Sequence, residues 1–177
     1  MAAPKSRVPV FKRRIPVRAI AAYARMYPEE DDAKAERIAA EGRRLGYLRR
    51  PAFLALCRWK SPRTAPLCAT NDPGVVRRVT ALAFSTEDER VRIEILTLLA
   101  GVSWPTASAI LHLCFPDRYP ILDFRALWSL SVSPPREYGW PFWSAYVAYS
   151  RSLARRAGVT LRTLDRALWA YSKERQP

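Results

Sequence analysis

Apolar residues recur along this chain at three- and four-residue intervals, the spacing of one face of an α-helix, and nowhere alternate as a half-buried strand requires. The clearest stretch runs from Glu87 to Cys114. Val91, Ile95, Leu98 and Leu99 make one stripe and predict a helix over Glu87–Ala100, started by Thr86 and Glu89 at capping-box spacing. Gly101 stops it, because glycine takes the left-handed conformation without a Cβ penalty. Ser103 is a natural N-cap for the next helix, and Pro105 falls in its first turn, where a missing N–H costs little. Ala107, Ile110, Leu111 and Cys114 form that helix's buried stripe. Leu99–Ser103 therefore reads as a tight turn between two helices.

The rest of the chain follows the same rules. A short helix is expected over Ile15–Met26 after Pro16. A second, over Glu29–Leu45, has acids at its start and Arg43 and Arg44 at its end, the arrangement its dipole favours, and Gly46 ends it. Pro51 opens a helix whose Phe53, Leu54, Leu56 and Cys57 face inward, running on towards Arg63. Thr64–Thr70 reads as a loop. Asn71 or Asp72 caps a helix reaching Phe84, with Val75, Val79 and Leu82 as its core face and Arg77 and Arg78 exposed. The two prolines of Phe115–Pro120 make a rigid corner. A helix over Phe124–Leu130, a loop over Ser131–Gly139, and helices over Trp140–Ala157 and Leu161–Lys173 complete the chain. Phe142, Tyr146, Tyr149 and Leu153 line the first of these last two helices, and Leu161, Leu164, Leu168 and Tyr171 the second. The fold expected is all-α, about eight helices, in one domain over 15–177 that follows a basic flexible arm at 1–14.

Charge changes the picture. Thirty Lys and Arg against sixteen Asp and Glu give a formal net charge of +14, which points to a polyanionic partner, nucleic acid first and an anionic membrane second. No apolar run is long enough to span a membrane, and the start of the chain has no signal-peptide core. An acid-free, Arg-rich stretch up to Pro28 leaves an organellar transit peptide as the alternative to a cytoplasmic, nucleoid-associated setting. Cys57, Cys68 and Cys114 are odd in number and widely spaced, which argues against a disulfide framework or zinc site. His112 is the only histidine, so no metal or His-based triad is expected; it reads as a core residue.

Three places carry candidate chemistry. Lys5, Arg7, Lys12, Arg13 and Arg14 could follow a phosphate backbone, or simply be solvated. From Arg43 to Arg63 there are seven basic residues and no acid, with Trp59, Lys60 and Arg63 at a helix end. A tryptophan beside a lysine can stack on a base and hold a phosphate; equally, the lysine can snorkel from an amphipathic helix. The third is Asp123, at the start of a helix, with Arg125 two positions on. A carboxylate there either caps the helix or acts chemically.

Leu99-Ala100-Gly101-Val102-Ser103-Trp104-Pro105-Thr106-Ala107 resembles the hairpin of the helix-hairpin-helix DNA glycosylase superfamily, the endonuclease III-like proteins, whose pattern is Leu-Pro-Gly-Val-Gly, two residues, then Thr-Ala. Tyr119-Pro120-Ile121-Leu122-Asp123-Phe124-Arg125 resembles the family segment that carries its aspartate. Family members that are also lyases have a lysine where Pro105 stands, and Asp123 follows that position by 18 residues, as in the family. The match covers about thirty-five residues. Two positions depart from it: Ser103 replaces the second glycine, and Pro105 offers no amine for a Schiff base. Lys60 is the substitute amine if lyase chemistry is present. No counterpart exists of the four-cysteine iron–sulfur loop of some relatives, and no cofactor is implied.

The resemblance implies a monofunctional DNA glycosylase acting on a flipped base in double-stranded DNA. Asp123 would stabilise the cationic sugar or activate water, and Gly101, Val102, Ser103, Thr106, Trp59, Lys60, Arg63 and Arg125 would bind DNA. It also implies two lobes, one at about 48–122 and the other combining 15–47 with 123–177, in a monomer. Two other readings stay open: a non-catalytic helix-hairpin-helix DNA-binding protein, and a basic RNA- or ribosome-binding helical protein.

Overall fold

A computed structural model describes residues 8–28 and 32–177. Among the described residues there are ten α-helices, two 3-10 turns and no strand. The all-helical expectation holds; the helix count exceeds the expected eight. The chain divides into two compact units, one formed by Met1–Tyr27 with Asp123–Pro177, the other by Pro28–Leu122.

The unit of Pro28–Leu122 holds α2 (Asp32–Leu45), α3 (Arg50–Lys60), α4 (Ala65–Cys68), α5 (Pro73–Ser85), α6 (Glu89–Leu96) and α7 (Trp104–Cys114). Its centre is α7, whose residues from Thr106 to Cys114 are all buried and which meets α2, α3 and α6. The helix expected with the late helices, α2, belongs here instead, because its small Ala35, Ala39 and Gly42 face lets α3 and α7 approach. A Cβ at Gly42 would collide with Leu48. Glu29, Glu30 and Asp31, expected at the start of this helix, lie outside the described residues. Gly46 ends α2 at φ +76°.

Two helices are rotated from their expected faces. In α5 the buried positions are Val76, Thr80 and Ala83, while Val75 and Leu82 are exposed. Thr80 accounts for the rotation: its hydroxyl accepts the Leu48 N–H at 2.9 Å and donates to Val76 O at 2.8 Å, so it is buried fully satisfied. In α6 the buried positions are Arg92, Ile93 and Leu96, followed by Leu99 in the turn, while Val91 is exposed and Leu98 is 74% exposed. The Arg92 guanidinium donates to Phe84 O and Thr86 O and lies over the Phe115 ring, which makes a 3% exposed arginine tenable. The cap of α6 is Asp88, whose carboxylate accepts from the Arg90 and Val91 N–H groups; Thr86 instead accepts from Asp88 N.

Thr64–Thr70 is not a loop. A 3-10 turn, Pro62–Thr64, runs directly into α4 and buries Cys68. Asp72 caps α5, with its Oδ1 accepting from Gly74 N at 2.8 Å and Val75 N at 3.1 Å. The corner after α7 is fixed from inside that helix. Ser108 Oγ accepts the Leu122 N–H at 2.8 Å, and His112 Nδ1 lies 2.7 Å from Tyr119 O, with His112 fully buried as expected.

The other unit holds a 3-10 turn (Val17–Ala19), α1 (Ile20–Ala24), α8 (Phe124–Ser129), α9 (Trp140–Ala157) and α10 (Leu161–Arg175). The first helix is shorter than the Ile15–Met26 expected. Leu161, Leu164 and Leu168 of α10 are buried, and α10 touches α1, α8 and α9. Residues 1–7 of the expected arm lie outside the described residues. Its remainder is held in place. Lys12 N and Arg14 N donate to Leu130 O and Ser129 O at 2.9 and 2.8 Å, and Phe11 lies within 5.4–5.9 Å of the Phe142, Tyr146 and Tyr149 rings. Ser131 closes α8 with φ +59°, the Val132 N–H returning to Leu127 O and the Ser131 N–H to Trp128 O. That is a Schellman ending with serine where glycine is usual.

Candidate functional site

The turn between α6 and α7 is built in detail. After Leu96 the helix tightens into three-residue hydrogen bonds, Thr97 N to Glu94 O, Leu98 N to Ile95 O and Leu99 N to Leu96 O. Gly101 follows at φ +78°. A Cβ there would stand 2.7 Å from Cys68 Sγ, 2.8 Å from Cys68 N and 3.1 Å from Thr64 O. Glycine is thus required twice, for its backbone conformation and for its contact with α4. Asn71 braces the turn from the same side: its Oδ1 accepts the Ala100 N–H at 2.8 Å, and its Nδ2 donates to Ala100 O at 2.9 Å and Cys68 O at 2.8 Å. Arg50 in turn donates to Asn71 O and Ala69 O.

The turn therefore packs directly on the segment that follows Arg63. Gly101 lies against Thr64 and Cys68, which follow directly on the Trp59–Arg63 stretch singled out in the sequence. Ser103 has the extended N-cap backbone, but its side chain makes no capping bond to α7. The expected contact residues divide by exposure. Ser103 and Arg63 are exposed; Gly101, Trp59 and Lys60 are half-buried; Val102 and Thr106 are buried, so their side chains belong to the core and only their backbone could face a ligand. Arg63 stands in the 3-10 turn rather than at the end of α3. Leu98, assigned by periodicity to the core, is the exposed apolar side chain of this turn.

Cys57 and Cys68, eleven positions apart in sequence, form a hydrogen-bonded thiol pair beneath the turn. Burial, reinforced by the neighbouring Cys68, pushes the Cys57 thiol up, so Cys57 is held neutral. All three cysteines are free and buried. Among the described residues no three His, Cys, Asp or Glu side chains gather as a metal-binding group. No described helix is long and apolar enough to cross a membrane.

In the other unit Asp123 is the N-cap of α8, half-buried, its Oδ1 accepting the Arg125 N–H at 2.9 Å. Its negative charge reaches two tyrosines. Tyr138 has its pKa raised by burial and then by Asp123; Tyr146, fully buried, is raised by burial, then Asp165, then Asp123. Tyr138, from the loop before α9, is thus the aromatic neighbour of Asp123 that periodicity could not single out. Asp165 is held by Arg162 at 2.8 Å. The Arg125 guanidinium lies over Phe124 and Trp169, 5.1 and 5.4 Å from the ring centres.

This arrangement supplies a partly shielded carboxylate within electrostatic reach of two tyrosines, and cations on aromatic faces. Comparison with protein-family models, with curated proteins and with solved structures gives no match.

Proposed function

We propose that this chain is a DNA-binding protein that hydrolyses the N-glycosidic bond of a flipped base, with Asp123 as the catalytic carboxylate. The observation that carries the DNA-binding part is the contact of the Gly101 turn with the Arg63 segment. A bend whose N-cap, Ser103, makes no side-chain capping bond leaves backbone N–H groups for a phosphate, and the exposed Arg63 immediately precedes Thr64, whose carbonyl lies against the turn. The net charge of +14 supports the same class of partner.

The catalytic part rests on Asp123. Loss of a base builds positive charge on the deoxyribose, and a fixed carboxylate stabilises that charge or activates water. Half-burial raises the value of the charge, since water screens it less. Pro105 in place of a lysine favours hydrolysis without strand cleavage. A second reading, binding without catalysis, is favoured by the capping bond from Arg125 N to Asp123, which gives the carboxylate a structural use already.

Duplexes carrying a panel of altered bases, read for alkali-labile sites after incubation with the protein, separate the two readings. Base release from at least one duplex is expected; salt-sensitive binding with no release from any leaves the non-catalytic reading. Preference for RNA over DNA in competition would overturn both.

A further inference from the structure

The face shared by α8 and α10 concentrates cations on aromatic rings. Arg125 lies over Phe124 and Trp169, and Lys173 Nζ stands 5.0 Å from the centre of the Trp169 ring. Two positive charges therefore flank one indole, no more than 10.4 Å from each other. The Tyr27 ring meets Trp169 edge-on at 5.1 Å, and Arg162 and Arg166 lie over Tyr27 at 5.3 and 5.7 Å. The one buried acid in this group, Asp165, is taken by Arg162. Arg125 and Lys173 face rings rather than carboxylates, and Lys173 is exposed. Phe124 is 53% exposed at the end of this row.

Ring faces hold cations in place without consuming their hydrogen-bond donors, so such cations remain competent for an anion. A lone exposed Phe needs no explanation. One beside two ring-held cations has the composition of a strand-binding platform, in which cations take phosphates and a ring takes a base. We infer that the face formed by Phe124, Arg125, Trp169 and Lys173 binds one strand of DNA, Arg125 and Lys173 taking its phosphates and Phe124 stacking on a base. This rests on the DNA-binding reading above and extends it to the residues adjoining Asp123.

Fluorescence anisotropy with labelled oligothymidylate, over a series of salt concentrations, tests it. The parent is compared with Arg125→Gln/Lys173→Gln, with Phe124→Ala, and with Arg77→Gln/Arg78→Gln, which removes two exposed charges from α5. The Arg125/Lys173 variant should lose affinity at low salt and flatten the log–log salt dependence by about 1.4, at about 0.7 for each single-strand phosphate contact. Phe124→Ala should lose about fivefold or more in affinity with an unchanged salt slope. The Arg77/Arg78 variant should stay within about twofold of the parent, less than the loss of one phosphate contact. Equal losses in the two double variants, or an unchanged Phe124→Ala, overturn the assignment while leaving DNA binding and base release standing. A parent that binds neither oligothymidylate nor duplex overturns this inference and the proposed function together. Absence of base release with the strand contacts intact removes only the catalytic reading.

Discussion

Replacing Gly101 by alanine tests the turn between α6 and α7 where it is most constrained. The backbone contribution is the cost of φ +78° for a residue with a Cβ, about 1–2 kcal/mol, partly offset by about 0.4–1 kcal/mol from the stiffer unfolded chain. The packing contribution is larger. The new methyl would stand 2.8 Å from Cys68 N and 3.1 Å from Thr64 O, backbone atoms that no rotamer change can move, and 2.7 Å from a buried sulfur. Overpacking of that kind costs about 1–3 kcal/mol. The expected loss is about 2–4 kcal/mol, against a typical domain stability of about 5–15 kcal/mol. Gly46 provides the control in the same unit, since its φ is +76° and a Cβ there meets nothing within 4 Å. Gly46→Ala should cost about 1 kcal/mol or less. Urea unfolding followed by far-ultraviolet circular dichroism measures both, with the denaturant slope checked for constancy. Equal losses at Gly101 and Gly46 would refute the close approach of the turn to α4.

Asn71→Ala removes both bonds to Ala100 and leaves a backbone N–H and C=O of the turn unpaired, so stability should fall by about 2–3 kcal/mol in the same assay. Ser131→Gly should raise stability by about 0.5–1 kcal/mol, because serine at φ +59° pays the left-handed penalty that glycine avoids; a loss would contradict the Schellman ending of α8. Burial, opposed in part by Arg43, pushes the Cys114 thiol from 9.0 up to about 12. The folded state keeps this proton where the unfolded state loses it, so the contribution is intact below pH 9.0 and is lost as pH rises towards about 12. Compared between about pH 8 and about pH 10.5, Cys114→Val should lose less stability than the parent, by up to about 2 kcal/mol.

Helix positions were legible wherever a cap and an apolar stripe agreed. Trp140–Ala157, with Gly158 at φ +65° behind it, and the buried leucines of α10 follow directly from spacing and stop signals. Faces were misread where a polar residue is buried. Thr80 and Arg92 look like surface residues to any count of apolar positions, yet both are buried with hydrogen bonds to backbone groups and turn α5 and α6 away from their apparent stripes. Pro62 and Pro66 hide a short helix because each stands where a missing N–H is tolerated. Of the candidate site, Gly101 and the capping role of Asp123 could be read from residue type and spacing. The Asn71 brace, the Cys57–Cys68 pair and the nearness of Tyr138 to Asp123 could not, since each joins residues whose contact only the tertiary packing creates.

The central claim is that the charge of Asp123, not its cap, is what acts on the sugar. Asparagine caps a helix about as well as aspartate, so Asp123→Asn keeps the bond to Arg125 N and removes only the charge. The direct measurement is the single-turnover rate of base release by parent and Asp123→Asn on the same altered-base duplex, with DNA affinity recorded beside it. A fall of about a hundredfold or more at unchanged affinity is expected for loss of one electrostatic stabiliser. Equal rates would contradict the account and leave Asp123 as a cap.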